Sequence, residues 1–220
     1  LTGRFKNPVW VIGAGRSGTT WLCNLMCARQ KYRFLFEPFH PAHNPEAGFL
    51  ASHRYLRPGE SDPKLEELAN KIFTGKEYFP VSAPANKHKL FDGLLVKDIS
   101  ANLFSYALSQ SRPEIDLILI LRNPFAVALS RQNKPEWKWF NEPQQFLSQK
   151  NLARDFLDPY KELILNISES DDFILKQILI WAVIYHIPLR QFSDDQLQIV
   201  FYEDLLQHTD HQLKRLEKSL

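Results

Sequence analysis

Val9-Trp10-Val11-Ile12-Gly13-Ala14-Gly15-Arg16-Ser17-Gly18-Thr19-Thr20-Trp21-Leu22 is the stretch on which the reading of the fold turns. Its first four residues are apolar and β-prone, the pattern of a strand buried on both faces. Glycines follow at 13, 15 and 18, with Arg16 and Ser17 between the second and third. Beyond them, Trp21-Leu22-Cys23-Asn24-Leu25-Met26-Cys27 repeats its apolar residues at helical spacing. A buried strand, a Gly-rich turn and a helix N-terminus together make an anion site, because turn N–H groups point inward and the helix dipole favours negative charge. Gly13 and Gly18 have the separation of a Walker A loop. Thr19, however, stands after Gly18, where a nucleotide triphosphatase carries lysine. The cation of this loop is Arg16.

The 220 residues suit one α/β domain, with or without a helical insertion. At 44% hydrophobic and 24% charged, the composition is globular, and a net charge of +2 gives no ground for a nucleic-acid partner. No apolar run approaches the length of a membrane span. There is no signal-peptide pattern, and a chain starting at Leu1 leaves an upstream targeting segment open. The only cysteines, Cys23 and Cys27, lie one helical turn apart. They read as small buried hydrophobes and favour a reducing, cytoplasmic compartment. The sequon Asn166-Ile167-Ser168 leaves the secretory lumen as the alternative.

Periodicity predicts strands over Pro8 to Ile12, Tyr32 to Phe36, Leu90 to Lys97, Asp116 to Leu121 and Leu197 to Tyr202. It predicts helices over Gly18 to Arg29 (Leu22, Leu25, Met26 and Arg29 on one face), Pro63 to Phe73, Ala101 to Ser111 and Phe125 to Gln132. A long helix over Leu175 to Phe192 (Ile178, Trp181, Ala182 and Tyr185 on one side) and a closing helix from about His208 follow. Pro80 to Lys89 reads as a loop, and Lys134 to Ile174 as short helices forming a lid or acceptor wall. Alternating strands and helices imply a mainly parallel sheet with helices on both faces. Ligands bind such sheets at the carboxyl ends of the strands. Gly13 to Thr20, Glu37, Lys97-Asp98, Arg122 and Tyr202 all fall at predicted carboxyl ends.

Arg16-Ser17-Gly18-Thr19-Thr20-Trp21-Leu22 resembles the 5′-phosphosulfate loop of the sulfotransferases that use 3′-phosphoadenosine-5′-phosphosulfate (PAPS). Arg122-Asn123-Pro124-Phe125-Ala126-Val127-Ala128-Leu129-Ser130-Arg131 is similar to the family's second motif, an arginine followed eight residues later by a serine, which grips the 3′-phosphate. The residue types suit that task, since a phosphate is well held by a bidentate cation and a hydroxyl donor. Val200-Phe201-Tyr202-Glu203-Asp204-Leu205 resembles a third segment whose tyrosine lies near the adenine. Leu35-Phe36-Glu37-Pro38 resembles the carbohydrate-type branch.

The resemblance implies a three-layer α/β fold of the P-loop nucleotide-kinase type, with residues 1–220 as a single domain. It implies PAPS as donor, held by Arg16, Ser17, Gly18, Thr19, Thr20, Trp21, Arg122, Ser130 and Tyr202, and adenosine 3′,5′-bisphosphate (PAP) as product. The acceptor would be a hydroxyl or amine on a small molecule, glycan or lipid. The family's downstream Gly-rich segment over the 3′-phosphate has no counterpart before Leu220.

Sulfuryl transfer needs a base for the acceptor proton and cations for charge on the transferring oxygens. Arg16 and Lys97 are the candidate cations, and no metal is expected. Aryl and steroid sulfotransferases carry Lys-Thr-His after the third strand, but here the stretch is Lys97-Asp98-Ile99, without the histidine. The resemblance to the carbohydrate-type branch, which has a glutamate just after the second strand, implies Glu37 as the first candidate base, with Asp98, His40 and His43 behind it. Glu37 can also be read as a structural partner of Arg16 or Lys97. Trp137-Lys138-Trp139-Phe140 reads either as a platform for the acceptor or as packing. Two other functions fit the loop alone. A P-loop phosphotransferase needs the lysine that Thr19 replaces, and a non-catalytic PAPS-binding domain would not need Glu37.

Overall fold

The structure, a computed structural model, describes residues 8–75, 90–137 and 140–220. The loop expected at 80–89 lies outside these residues, as do Lys138 and Trp139. Five strands form one sheet: β1 (Val9–Gly13), β2 (Tyr32–Phe36), β3 (Gly93–Asp98), β4 (Asp116–Leu121) and β5 (Gln198–Phe201). Their order is β2-β3-β1-β4-β5, and every pairing is parallel. The expected α/β architecture is present, and β1 lies at the centre, flanked by β3 and β4.

The helices are α1 (Thr19–Arg29), α2 (Pro63–Thr74), α3 (Ser105–Gln110), α4 (Pro124–Gln132), α5 (Lys150–Leu152), α6 (Lys161–Glu169), α7 (Phe173–Gln191), α8 (Tyr202–Gln207) and α9 (Thr209–Ser219). Short turns between Pro135 and Tyr160 fill the stretch predicted to hold them. On one face of the sheet, Trp10, Ile12, Val96, Leu117 and Leu119 pack with Leu65 and Ile72 of α2, Leu108 of α3, Ile164 of α6 and Ile184 of α7. On the other, Val11, Leu95, Ile118 and Ile120 pack with Leu22 and Met26 of α1, Leu205 of α8 and Leu216 of α9. The period-2 alternation of β1 and β4 feeds both cores, as a sheet covered on both faces requires.

Local chemistry sets the boundaries that the sequence pattern leaves loose. α4 begins at Pro124, one residue before the prediction, because Asn123 Oδ1 accepts from the N–H groups of Phe125 (3.0 Å) and Ala126 (3.2 Å) and proline suits the first helical position. β3 starts at Gly93 rather than Leu90, since its ladder begins with the Tyr32–Gly93 pair and Leu90 is exposed. α3 is shorter than predicted: Ala101 to Phe104 form a turn in which Asn102 Nδ2 bonds the carbonyls of Gly13 and Ile99, each at 3.1 Å. Arg29 leaves the apolar face predicted for it and pairs with Asp210 and Glu217 of α9.

α7 corrects the expectation that nothing here is long and apolar enough to span a membrane. Its 19 residues meet that criterion by length and composition. Its contacts are those of a core helix, with Ile180, Val183, Ile184, Tyr185 and Ile187 buried and Gln177 and Tyr185 hydrogen-bonded at the loop side of the sheet. The buried face is thus offset from the predicted one and shares with it only Tyr185.

Candidate active site

Between β1 and α1, four successive carbonyls are each engaged. Gly13 O accepts from Asn102 Nδ2, and Ala14 O from Ser17 N (3.1 Å) and Ser17 Oγ (2.6 Å). Gly15 O accepts from Arg131 Nη2 (2.7 Å) and Nε (3.3 Å), and Arg16 O from Arg122 Nη1 (3.0 Å). Ala14 N donates to the Tyr185 hydroxyl at 3.0 Å, which donates to Ile120 O at 2.8 Å. The amides of Gly15, Arg16, Gly18, Thr19, Thr20 and Trp21 have no acceptor among the described residues. A turn with its carbonyls tied back and six amides unengaged, leading into a helix N-terminus, is an anion cradle.

Two glycines are needed for different reasons. Gly18 has φ 94°, and a Cβ there would lie 2.4 Å from Tyr202 Cδ2. A Cβ on Gly15 would lie 2.1 Å from Trp137 Cζ3, whose ring sits on the loop with the guanidinium carbons of Arg16 and Arg131 each 5.8 Å from its centroid.

The structure brings the predicted donor-binding residues together at this edge. Arg16 Nε donates to Ser130 Oγ at 3.0 Å, which joins the two motifs directly. The Arg122 guanidinium stands 4.3 Å over the Tyr202 ring, and Trp21 meets the same ring edge-on at 5.5 Å. Arg122 Nε is buried and has no partner among the described residues. Glu203 Oε1 accepts from Asn123 N at 3.0 Å and ties the third segment to the second. Thr20 is exposed beside the cradle, whereas the side chains of Ser17 and Thr19 are buried. Ser17 turns inward, because both its amide and its hydroxyl serve Ala14 O.

A second cluster lies at the carboxyl ends of β2 and β3. Glu37, at φ 50°, donates its amide to Lys97 O at 2.7 Å. Its Oε1 pairs with Lys97 Nζ, and its Oε2 lies 3.3 Å from His43 Nε2. Lys97 therefore does not present its ammonium to the loop. It is committed to Glu37 and stands 4.3 Å over the Phe36 ring. Of the two structural partners considered for Glu37, the one found is Lys97. Asp98 is fully buried, its oxygens accepting from Phe39 N (2.9 Å) and Ser100 N (2.8 Å). Burial, reinforced by the charge of Glu37, lifts its carboxyl to about 7. His40 has its proton affinity lowered by burial, and its Nδ1 accepts from Ala42 N at 3.2 Å. Beside it opens a mainly apolar cavity of about 300 Å³, lined by Phe39, His40, Leu50, Ser100 and Phe104 among others.

The expected aromatic platform takes a different form. Trp137 covers Gly15, while Phe140 is buried against His53 (4.9 Å) and Phe146 (5.0 Å) and is not open to an acceptor. The sequence reading missed Asn102, Arg131, Tyr185 and Gln177. Each is a buried polar residue that holds the loop or its partner, and only Arg131, next to Ser130 in the second motif, carried any signal.

Fold and loop define a parallel α/β protein with a cradle suited to a phosphate-type anion between its first strand and first helix. Residues 6–220 match the sulfotransferase domain family model, and the chain belongs to that family. No curated protein sequence matches it. Among solved structures, a sulfotransferase from Alicyclobacillus acidocaldarius is similar at TM-score 0.52 and 12% identity, with 97% of this chain and 80% of that one covered. Sulfotransferase STF1 from Mycobacterium tuberculosis H37Rv gives TM-score 0.46 at 14% identity, covering 98% of this chain and 67% of that one. Mouse sulfotransferase SULT7A1, complexed with PAP, gives 0.40 at 15%, covering 98% and 60%. The first likeness carries the fold, and the family match carries the reaction class, sulfuryl transfer.

Proposed function

We propose that this protein transfers the sulfuryl group of PAPS to a hydroxyl or amine of a small-molecule acceptor. The observation that carries the reading is the loop from Gly13 to Trp21, with four tied-back carbonyls, six unengaged amides and Arg16 as its cation. Such a cradle suits a 5′-phosphosulfate, and Thr19 in place of lysine argues against a metal-bound triphosphate.

In this reading the amides from Gly18 to Trp21 and the Arg16 guanidinium hold the phosphosulfate. Arg122 and Ser130 hold the 3′-phosphate, and Tyr202 and Trp21 flank the adenine. Arg16 exchanges its bond to Ser130 for the donor's oxygens. Ser17 contributes by shaping the turn. Glu37, locked by Lys97, supplies the negative charge that draws the acceptor's proton. The cavity beside His40 receives the acceptor, and its apolar lining favours an apolar alcohol or phenol over a bare sugar.

Calorimetry with PAP against ATP–Mg tests the donor, and we expect PAP to bind and ATP–Mg not to. Preference for ATP–Mg would favour a phosphotransferase. Radiolabelled PAPS with a panel of alcohols, phenols, amines and sugars then tests transfer. PAP binding without transfer to any acceptor or to water would leave a non-catalytic binding domain.

A further inference from the structure

We propose that Glu37, His40 and His43 form a site for one zinc-type divalent cation, and that the bound ion switches the transfer off. The site stands on geometry alone, and only the switch rests on the sulfuryl transfer proposed above. Among the described residues, these three side chains form a group whose ligand atoms all lie within 4.8 Å of one another. Two imidazoles and a carboxylate are ligands that zinc accepts, and three protein ligands leave a fourth position for water.

The spacing is that of ligands sharing an ion. His43 Nε2 lies 3.3 Å from Glu37 Oε2, with no hydrogen bond between the two side chains. Zinc bonds of ~2.0–2.1 Å at a tetrahedral angle set neighbouring ligand atoms about 3.3 Å apart. The same geometry puts the centroids of two ligating imidazoles about 5 Å apart. The rings of His40 and His43 are 5.5 Å apart and inclined at 50°. Rotation of the half-buried His40 ring brings its nitrogen from within 4.8 Å to ligand spacing. Its Nδ1 accepts at 3.2 Å from the amide of Ala42, an exposed donor that water can take over.

The backbone gathers these residues before any ion arrives. His40 N donates to Glu37 O at 3.0 Å and His43 N to His40 O at 2.9 Å, so two turns run in tandem with His40 at their junction. Such a turn brings its first and fourth residues within about 7 Å. Phe39 N, between them, is anchored on Asp98 Oδ2 at 2.9 Å, and buried Asn44 donates to Pro38 O at 2.8 Å. Glu37 itself sits at φ 50°, a conformation that a residue other than glycine keeps only where its surroundings enforce it. Lys97 holds Oε1 and leaves Oε2 turned toward His43, the part that an outer partner plays for a ligating carboxylate. Phe36 closes the site from the side, edge-on to the His43 ring at 5.0 Å.

Because Lys97 already balances Glu37, the ion adds its charge to a neutral pair, and binding is weaker than at a site where zinc faces an unpaired carboxylate. That suits reversible occupancy. Pro41 and Ala42 are exposed and give the ion a way in, and His40 is shared with the cavity assigned to the acceptor. The ion takes no part in the transfer. It neutralises the carboxylate that draws the acceptor's proton and places a hydrated cation at the edge of the acceptor cavity.

Two measurements decide the matter, both on chelator-treated protein. Co²⁺ titrated into the wild type without donor or acceptor should bind one equivalent with the visible bands of a four-coordinate ion, and Zn²⁺ should displace it. By calorimetry, Glu37→Gln, His40→Gln and His43→Gln should each weaken Zn²⁺ binding at least ~10-fold. The two histidine variants change partly exposed side chains and decide the point even if Glu37→Gln fails to fold. His208→Gln/His211→Gln, which removes an exposed pair near the C-terminus, should bind as the wild type does. Unchanged binding in both His40→Gln and His43→Gln, or binding lost in the His208/His211 double variant, overturns the site. In the radiolabelled PAPS assay, Zn²⁺ should inhibit the wild type with a midpoint near its calorimetric Kd, and each His40 or His43 variant, against its own metal-free rate, should need at least ~10-fold more. Full activity at saturating Zn²⁺ overturns the switch. A wild type that transfers no sulfuryl group even when metal-free would overturn the proposed function and the switch with it, while the Co²⁺ and Zn²⁺ titrations still judge the site.

Discussion

Replacing Arg131 by methionine tests whether the loop is held from behind. Methionine keeps much of the length of arginine and all of its apolar stem, so the cavity left is small. What is lost is a guanidinium with Nη2 on Gly15 O at 2.7 Å and Nη1 on Gln177 Oε1 at 2.8 Å. Two buried acceptors are then without donors, at ~1–3 kcal/mol each. A central loss of about 4 kcal/mol lowers Tm by ~8–16 °C in a chain of this size. Burial lowers the pKa of Arg131 to about 10, so it remains charged at neutral pH and the buried charge offsets part of that figure. The sharper readout is affinity. With Gly15 O released, the amides of Gly15 and Arg16 lose their fixed direction, and PAP binding by calorimetry should weaken at least ~10-fold, or about 1.4 kcal/mol. Arg131→Lys, which can reach one acceptor but not both, should fall between. An Arg131→Met protein that melts within ~2 °C of wild type and binds PAP equally well refutes the claim that this side chain orients the cradle.

Other outcomes follow from the same structure. Lys97→Met leaves the Glu37 carboxylate buried without its cation and should destabilise by ~3–5 kcal/mol in urea melts, with Lys97→Met/Glu37→Gln recovering part of the loss. Gly18→Ala forces a Cβ into φ 94° and onto Tyr202. It should cost ~1–2 kcal/mol in backbone strain alone and weaken PAP binding more than it lowers Tm. His53 is buried with its pKa pushed down to about 3, first by burial and then by the charges of Arg131 and His40. The unfolded chain then binds more protons than the native one between about pH 3 and 6.5, so this contribution to stability is present above 6.5 and lost as pH falls. Wild-type stability, followed by urea melts across that window, should drop more steeply with acid than that of His53→Phe, and equal slopes would count against the buried neutral imidazole.

Much of the fold was legible because its signals are local. The continuous apolar runs of Val9 to Ile12 and Asp116 to Leu121 identify strands buried on both faces. Gly13, Gly15 and Gly18 identify the turn between the first strand and the first helix. What failed was also local, at positions where one hydrogen bond overrides a pattern. Ala101 to Phe104 look helical by composition, yet Asn102 bonds Gly13 O and Ile99 O and delays α3 to Ser105. On α7, the predicted face is displaced because Gln177 is buried at Arg131, a polar contact that hydrophobic periodicity counts against burial.

The site divides along the same line. Arg16, Arg122, Ser130 and Tyr202 stand out in the sequence as candidates because their spacing puts them at or just beyond strand ends, and the structure joins them through short contacts. Lys97 was misread for a reason that spacing cannot show. Its place at a strand end is right for the cradle, but its side chain points to the β2 neighbour, where the register sets it opposite Phe36 and one residue from Glu37. A cation next to a buried carboxylate is taken by it, because an unpaired charge there would cost several kcal/mol. That pairing changes the meaning of Glu37. With one oxygen held by Lys97 and the other 3.3 Å from His43 Nε2, the carboxylate is a paired group and not a free one.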